Sequence, residues 1–356
     1  MKRHRKSYKT WAKSVLATTL GLLVLLVGLN YVVDPLQFFH KAYMKPDFSD
    51  QQRYQNPGIA KNYDYNTIII GTSMTENFLP SYVNEKLGVQ AVKLSMSGST
   101  AMEQRIMINH AVRTGKVKTI LWGVDYFSLR GDPNRVRQEF GEFPYYLYDQ
   151  NPWNDLKYLV NLDTSQQALH WIGIQAGVAQ PANPSLNLLN TWESPDLFGR
   201  ENVMNEWNKL KEGGSFKPSE YEMKQVQKNM DNNLLSVIKA HPDVQFVLYY
   251  PPYSILQHRY FYDKDPSFFE NELYVKKYLF EQVGKQPNVK IYDFQQEQKI
   301  TFDLNNYKDL AHHSRKVNEW IIDQIAQDKY RVTKKTLPVY LDQLREQVVN
   351  LKEGNF

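Results

Sequence analysis

The N-terminus combines a cluster of cations with a long apolar run, and this combination limits where the rest of the chain works. Residues 15–33 are predominantly apolar, and nineteen residues of helix span roughly 28 Å, close to the ~30 Å hydrocarbon core of a bilayer. The cations that precede the run are Lys2, Arg3, Arg5, Lys6, Lys9 and Lys13. Because Asp34 follows the run, the positive-inside rule predicts a cytoplasmic N-terminus.

A cleavable signal peptide is the alternative interpretation of this segment. The apolar run is long for a signal peptide, and the sequence from Gly28 to Pro35 offers no small-x-small cleavage site. We therefore predict a basic cytoplasmic segment at 1–13, an uncleaved single-pass signal anchor at 14–33 and a juxtamembrane linker at 34–60. About 320 residues would then lie outside the cytoplasm, anchored to the cell membrane.

The charge and the cysteine content agree with this placement. The six N-terminal cations exceed the whole formal net charge of +5, so the remainder of the chain sums to −1. A nucleic-acid-binding protein needs a basic folded surface, and here the excess charge belongs to the topology signal, so no nucleic-acid partner is predicted. Cysteine is absent, which suits a protein outside the cytoplasm that avoids thiol oxidation.

Short apolar runs alternate with segments of helical periodicity through the rest of the chain. Val, Ile, Leu and Tyr dominate five of these runs: 66–70, 90–94, 117–123, 244–250 and 289–292. Amphipathic spacing predicts helices at 100–113 and 270–283. Strands that are apolar throughout and alternate with helices are typical of a parallel sheet covered on both faces. We therefore predict an α/β domain at 61–335 with a sheet of about five strands, followed by a C-terminal helix at 336–356.

The interval between the third and fourth runs is too long for a simple crossover helix. Residues of about 130–240 are rich in aromatic residues, proline and asparagine, and we predict that they form a cap inserted into the α/β domain. Two interpretations of the aromatic residues stay open: they stack on sugar rings, or they pack the cap on the sheet. They are Tyr145, Tyr146, Tyr148, Trp153, Tyr158, Trp171, Trp192 and Trp207.

Chemically competent side chains follow the ends of several predicted strands. Ser73 follows the first strand, a glycine turn at Gly98 follows the second, and Asp125 follows the third. Asp309 and His312, three residues apart, lie beyond the fifth. Because the carboxyl ends of parallel strands meet at one edge of the sheet, we expect these residues to converge there.

This set of residues predicts nucleophilic catalysis by a serine. Acyl transfer needs a nucleophile, a base and a carboxylate that orients the base, and Ser73, His312 and Asp309 supply these types. Backbone N–H groups at Ser73 and Gly98 would receive the oxyanion. The plain alternative is that Ser73 and Glu76 form a helix capping box. No His, Asp or Glu cluster has metal-ligand spacing, so neither a metal nor another cofactor is predicted.

The motifs resemble the SGNH/GDSL hydrolase superfamily over residues of about 60–325, with the predicted cap left uncovered. The resemblance rests on Gly-Thr-Ser at 71–73, the glycine turn at Gly98 and Asp-x-x-His at 309–312. It implies a three-layer flavodoxin-like fold in which the serine is the nucleophile, the histidine the base, the aspartate the orienting acid and the glycine an oxyanion donor. With its N-terminal anchor, the chain further resembles the membrane-anchored branch typified by DltD of D-alanyl-lipoteichoic acid biosynthesis, and the acetyltransferase domains of alginate and peptidoglycan O-acetylation.

The end of the third strand departs from the superfamily pattern. Members typically place an asparagine there as a side-chain oxyanion donor, whereas this chain has Asp125. An ionised aspartate accepts hydrogen bonds and does not donate them. Asp125 is therefore predicted at the oxyanion and substrate-binding position with three alternatives open: it is protonated, another group supplies the donor, or it contacts the substrate.

The preferred prediction is an extracytoplasmic serine-dependent acyltransferase or esterase that acts on a cell-surface glycopolymer, a polysaccharide or teichoic acid, through an acyl-serine intermediate. The resemblance implies an integral-membrane O-acyltransferase partner that delivers the acyl group. The alternative prediction is a catalytically inert glycan-binding or scaffold subunit of a complex that modifies or exports an envelope polymer.

Overall fold

The structure, a computed structural model, describes residues 2–192, 194–213 and 218–352. Outside the described residues lie Met1 of the predicted cytoplasmic segment, Glu193 and residues 214–217 of the predicted cap, and residues 353–356 of the predicted C-terminal segment. The α-helices of the described part are α1 (Lys2–Val33), α2 (Gln52–Asn62), α3 (Pro80–Leu87), α4 (Ala101–Val112), α5 (Leu156–Leu159), α6 (Leu162–Gln175), α7 (Arg200–Gly213), α8 (Met223–Asn229), α9 (Ser236–Ala240), α10 (Ile255–Lys264), α11 (Pro266–Val283), α12 (Gln298–Thr301), α13 (Arg315–Ala326) and α14 (Thr336–Val349).

The structure contains a five-stranded parallel sheet between residues 67 and 293, which confirms the predicted α/β class. Its strands are β1 (Thr67–Ile70), β2 (Ala91–Lys93), β3 (Thr119–Gly123), β4 (Gln245–Tyr250) and β5 (Val289–Asp293). Their order across the sheet is β2-β1-β3-β4-β5, with every neighbouring pair parallel. This is the flavodoxin-like doubly wound order, in which functional groups gather outside the carboxyl ends of the strands.

Helices cover both faces of the sheet, which explains why the strand sequences are apolar throughout. On one face, Ile69 of β1 belongs to a core cluster with Val83 of α3 and Ile321 of α13. On the other face, the indole Nε1 of Trp122 in β3 donates to Gln104 Oε1 of α4 at 2.7 Å. Strands buried on both sides lose the polar alternation of an exposed sheet and read as continuous apolar runs.

The helix bounds follow from local capping. Helix α4 begins after Thr100, whose hydroxyl accepts the Glu103 N–H while the Glu103 carboxylate accepts the Thr100 N–H. Helix α11 begins four residues before the predicted 270–283, because Asp265 caps it and Pro266 occupies its first position. Helix α4 is thus slightly shorter than the predicted 100–113, and α11 is longer than the predicted 270–283 at its N-terminus only.

The described chain divides into two compact units. One comprises Met1–Tyr63 and Pro144–Leu189, and the other comprises Asp64–Phe143 and Asn190–Phe356 and contains the sheet. The predicted cap is thus divided between them. In the first unit Tyr158 and Trp171 of the cap are buried, but they pack near Asp34 and Val33 at the end of α1 and not on the sheet, where the packing interpretation predicted them.

Helix α1 contains the predicted signal anchor. Its residues Tyr8–Val33 are long and apolar enough to cross a membrane, and 6% of the most apolar window is buried within the chain. A signal sequence near an N-terminus meets the same criteria of length and apolar character, so the helix supports a membrane span and not a particular topology.

Candidate active site

Ser73 lies where β1 turns sharply out of the sheet. Gly71 ends the strand, and a Cβ on Gly71 would lie 2.7 Å from the Thr75 methyl group, so the tight turn requires glycine. The 3₁₀ turn Ser73–Thr75 is capped by Thr72, whose hydroxyl accepts the Met74 N–H at 3.3 Å. The alternative prediction, a capping box with Ser73 as the N-cap, is therefore wrong. The N-cap is Thr72, and the Ser73 hydroxyl contacts His312 instead of a backbone N–H.

The predicted nucleophile, base and acid form one hydrogen-bonded line. The Ser73 Oγ lies 2.7 Å from His312 Nε2, and His312 Nδ1 lies 2.7 Å from Asp309 Oδ2. The carboxylate accepts from Nδ1, which places the ring proton on that nitrogen and leaves the Nε2 lone pair facing the serine hydroxyl. This is the arrangement that lets an imidazole accept a proton from a serine.

Backbone contacts hold Asp309 in place and keep it ionised. Its Oδ1 accepts the N–H groups of Ala311 and His312 at 2.9 and 2.7 Å. Burial acts to raise the pKa of Asp309, but the hydrogen bonds and charge of His312 and the Ala311 N–H outweigh it and lower the pKa below the ordinary value. A carboxylate that stays ionised fixes the imidazole tautomer and favours the imidazolium that forms during proton transfer.

A tryptophan of the predicted cap packs against the imidazole of His312. The Trp192 and His312 rings meet edge to face, with centroids 5.6 Å apart and an interplanar angle of 83°. The indole Nε1 donates to Glu76 Oε2 at 2.7 Å, and the Lys308 ammonium lies 3.8 Å above the ring centre. Trp192 therefore limits the rotation of the imidazole, and nothing local in the sequence distinguishes it from the other cap aromatics.

Asp125 lies beside the site, but its contacts are those of an acceptor. One carboxylate oxygen accepts the Thr72 hydroxyl at 2.5 Å, and the other accepts the Tyr253 hydroxyl and the Phe127 N–H. Asp125 is buried and lies two residues after the end of β3, where it caps the 3₁₀ turn Tyr126–Leu129. Because Thr72 immediately precedes Ser73, Asp125 fixes the turn that carries the serine, and these contacts offer no side-chain donor to an oxyanion.

The predicted oxyanion glycine occupies a backbone conformation that favours glycine. Gly98 has a φ of +56°, and a Cβ there would lie 3.0 Å from the guanidinium of Arg137, which donates to the Gly98 carbonyl at 3.3 Å. Among the hydrogen bonds of the described residues, none has the Ser73 or Gly98 N–H as its donor. Both groups are thus available to a ligand oxygen in the cavity that they line.

The cavity beside Ser73 has a volume of about 380 Å³. Ser73, His312 and Asp309 line its wall, together with Arg130 and Arg137. Apolar and aromatic side chains also contribute to the lining. They are Phe127, Leu210, Tyr221, Tyr260 and Phe261. This volume suits a small acyl group together with part of a larger acceptor.

A larger open cleft of about 920 Å³ lies between α12 and α14. Its lining contains glutamine, glutamate, lysine, tyrosine, phenylalanine and asparagine, but no serine, threonine or histidine. Of these two cavities, only the smaller one is lined by a serine and a histidine in contact, which makes it the candidate for nucleophilic chemistry.

Glu206 supports the loop that carries both Asp309 and His312, although no sequence motif marks it. Its Oε2 accepts the Leu310 N–H at 2.7 Å from α7, more than a hundred residues away in the chain. Burial and the neighbouring Asp309 charge raise the pKa of Glu206, against the lowering effect of the Leu310 N–H. Glu206 also lines the cavity.

Replacing Glu206 by alanine is expected to slow acylation of Ser73 by roughly 10- to 100-fold. The loss follows because removing the acceptor of a partly buried N–H costs about 1–3 kcal/mol and loosens the Asp309–His312 loop. Glu206→Gln should retain most of the rate, since its amide oxygen accepts the same hydrogen bond. The measurement is the rate of ester turnover by both variants, and equal losses in both would contradict this positioning role.

The stability of the fold is expected to decline as the pH falls from about 6.5 to 4. Burial lowers the pKa of the His313 imidazole to about 4, so in this range the unfolded chain takes up a proton that the folded chain excludes. The pKa difference corresponds to about 3 kcal/mol of unfolding free energy. Urea unfolding at pH 7 and pH 4 should show a smaller decline for His313→Leu than for the wild type. His241→Leu, at a partly exposed position, is the control and should leave the decline unchanged.

Comparison of the sequence with protein-family models and with curated proteins finds no match in either. The case for a function therefore rests on the geometry of the site and on the resemblance of its motifs.

Proposed function

We propose that the chain is an extracytoplasmic serine-dependent acyltransferase or esterase that acts on a cell-surface glycopolymer. The observation that carries the proposal is the continuous line from Ser73 Oγ through His312 to Asp309, with both contacts at 2.7 Å. Chance proximity of these residue types rarely gives two short contacts in the order that acyl transfer requires. The SGNH-like motifs that predicted the same three residues support the reaction class.

In the first half-reaction Ser73 Oγ attacks the carbonyl carbon of an acyl donor while its proton passes to His312 Nε2. The tetrahedral intermediate collapses when the donor's leaving oxygen takes that proton, which leaves an acyl-serine. In the second half-reaction a sugar or alditol hydroxyl, or water, gives its proton to Nε2 and attacks the acyl-serine. Ser73 recovers its proton as the ester or acid leaves.

The negative oxygen of each tetrahedral intermediate would be received by the backbone N–H groups of Ser73 and Gly98. Each such donor lowers a barrier of this kind by roughly 3 kcal/mol. Asp125 would contribute indirectly, because its hydrogen bond to Thr72 fixes the turn from which the Ser73 N–H points.

The membrane span proposed for α1 would keep this site close to the cell surface. A transferase outside the cytoplasm has no soluble supply of activated acyl groups, so it needs a donor carried across the membrane. An integral-membrane O-acyltransferase is the partner that the resemblance implies. The glycopolymer is the acceptor proposed for the second half-reaction.

The proposal is tested by trapping the acyl-serine. The full chain in detergent is treated with a fluorophosphonate or pulsed with p-nitrophenyl acetate, and intact-protein and peptide mass spectrometry locate the adduct. We expect a single adduct on Ser73 in the folded protein and none after heat unfolding, because an unactivated serine does not react. The absence of an adduct at high reagent excess would contradict the proposal.

One observation favours a second candidate, a catalytically inert glycan-binding or scaffold subunit. Asp125 occupies the position of the expected asparagine donor and accepts hydrogen bonds from Thr72, Tyr253 and Phe127. This candidate predicts that Ser73→Ala leaves cellular function intact while changes to exposed cap aromatics such as Trp153 abolish it.

A further inference from the structure

The last turns of α1 are packed inside the first compact unit and are not free helix. Asn30 is fully buried, and its amide donates to the Leu159 carbonyl at 2.8 Å and to the Ser165 hydroxyl at 2.9 Å. One turn later, Val33 packs in a core cluster with Ala168 and Trp171 of α6. These contacts hold the α5–α6 hairpin against the end of the apolar helix.

The contacts also place this hairpin at a defined depth relative to a bilayer. The apolar run ends at Val33, and at 1.5 Å per residue Asn30 lies only about 5 Å before that end. If residues 14–33 fill the ~30 Å hydrocarbon layer, the partners of Asn30 lie where the helix leaves it. The start of α6 is therefore expected at the level of the lipid headgroups.

At this level the hairpin exposes apolar side chains instead of polar ones. Leu162, Leu169 and Ile172 share one stripe of α6, at spacings of seven and three, and are 70%, 59% and 42% exposed. Asp163, about 100° away from Leu162 around the helix axis, lies on the other exposed side of the same helix. Trp153, Leu156 and Val160, at spacings of three and four just before α6, are also exposed. Together these six apolar residues form the hairpin face.

Single exposed apolar residues are ordinary on a protein surface, but a stripe on one helix beside a membrane span is not. An amphipathic helix with leucine and tryptophan on one side is typical of a segment that lies in the membrane interface. The segment that carries the hairpin face contacts the end of α1 through Asn30 and Val33, and the α1 side chains from Val15 to Leu25 are exposed. The lipid that surrounds α1 is therefore the nearest occupant for this face.

We propose that the hairpin face, formed by Trp153, Leu156, Val160, Leu162, Leu169 and Ile172, inserts into the interfacial layer of the bilayer on the side where α1 enters the folded chain. The inference rests on the membrane span proposed for α1 and is independent of the acyl-transfer chemistry. The first compact unit would then lie on the membrane through a second contact, which restricts the tilt and rotation that a single helix allows.

The test uses nitroxide labels on the full chain reconstituted in nanodiscs of phosphatidylcholine and phosphatidylglycerol. The chain has no cysteine, so Leu162→Cys, Leu169→Cys and Ile172→Cys each carry one label without further changes. Asp163→Cys on the polar side of α6 is the matched control, and Leu20→Cys in α1 is the membrane reference. The measurement is the collision rate of each label with oxygen, which concentrates in lipid, and with a water-soluble nickel chelate.

We expect oxygen collisions to dominate at the three stripe positions, as at Leu20, and nickel collisions to dominate at Asp163. Nickel collisions at Leu162, Leu169 and Ile172 equal to those at Asp163 would place the stripe in water and overturn the proposal. Low collision rates with both reagents would indicate contact with another copy of the chain and would also overturn it. Nickel access at Leu20 would remove the membrane span on which the proposal depends.

Discussion

Replacing Ser73 by alanine is expected to abolish covalent labelling and to lower ester turnover by roughly a thousandfold to a millionfold. The hydroxyl is the only part of the catalytic line that forms a bond to the substrate, and the imidazole 2.7 Å away has no other proton to accept in the first step. In serine hydrolases, loss of the nucleophile removes nearly all catalysis except that of the oxyanion site and of substrate binding. Turnover of p-nitrophenyl acetate and intact mass after a fluorophosphonate pulse measure the two effects.

The matched control is Ser236→Ala, which removes an exposed hydroxyl that donates back to the Asn232 carbonyl and contacts no imidazole. It should label and turn over as the wild type does. Labelling of the Ser73→Ala protein at the wild-type rate would place the reactive group elsewhere and contradict the catalytic line. Because the Ser73 side chain is small and only half-buried, the alanine variant should fold, which circular dichroism verifies.

The convergence of Ser73, His312 and Asp309 could be predicted in part. Ser73 follows β1 directly, and Asp309 and His312 form a local Asp-x-x-His pattern beyond β5. A parallel sheet brings its carboxyl ends to one edge, which locates Ser73, whereas the return of the segment after β5 to that edge is a tertiary feature. The same argument located Gly98 after β2.

The supporting residues could not be predicted, because their contacts depend on how distant segments pack. Glu206 and Trp192 come from the long segment between β3 and β4. Glu206 contacts Leu310 and Trp192 contacts His312, and the two partners of each contact are more than a hundred residues apart in the chain. The sequence also misplaced the cap of the Ser73 turn by one residue. Thr72 and Ser73 both suit that position, and the His312 contact, which is tertiary, decides between them.

The division of the predicted cap between the two compact units also depends on how distant segments pack. Aromatic density between β3 and β4 indicated packing, but it did not indicate which surface is covered. Residues 144–189 bury Tyr158 against the Asp34 carboxylate at the end of α1, with a hydrogen bond of 2.8 Å. A buried tyrosine needs a partner for its hydroxyl, and that partner lies 124 residues away, so no local pattern reveals it.

Replacing Asp309 by asparagine is expected to lower the rate of Ser73 acylation by about 10³- to 10⁴-fold while the fold is kept. The Asp309 Oδ1 accepts two backbone N–H groups, from Ala311 and His312, and only an oxygen can do so. The amide oxygen of asparagine must therefore take that place, which turns its NH₂ group toward His312 Nδ1. An NH₂ group there favours the tautomer with the proton on Nε2, and that nitrogen then cannot accept the Ser73 proton.

This expectation separates an orienting role from a merely structural one. Asp309→Asn should unfold at nearly the wild-type urea concentration, because both backbone hydrogen bonds survive, yet react with the fluorophosphonate about 10³- to 10⁴-fold more slowly than the wild type. Asp303→Asn is the control: Asp303 also caps a turn by accepting a backbone N–H, from Asn305, but it is exposed and touches no histidine. A wild-type acylation rate in Asp309→Asn would mean that the tautomer of His312 does not depend on the carboxylate. The orienting role of Asp309 would then be wrong, although the contact between the two side chains exists.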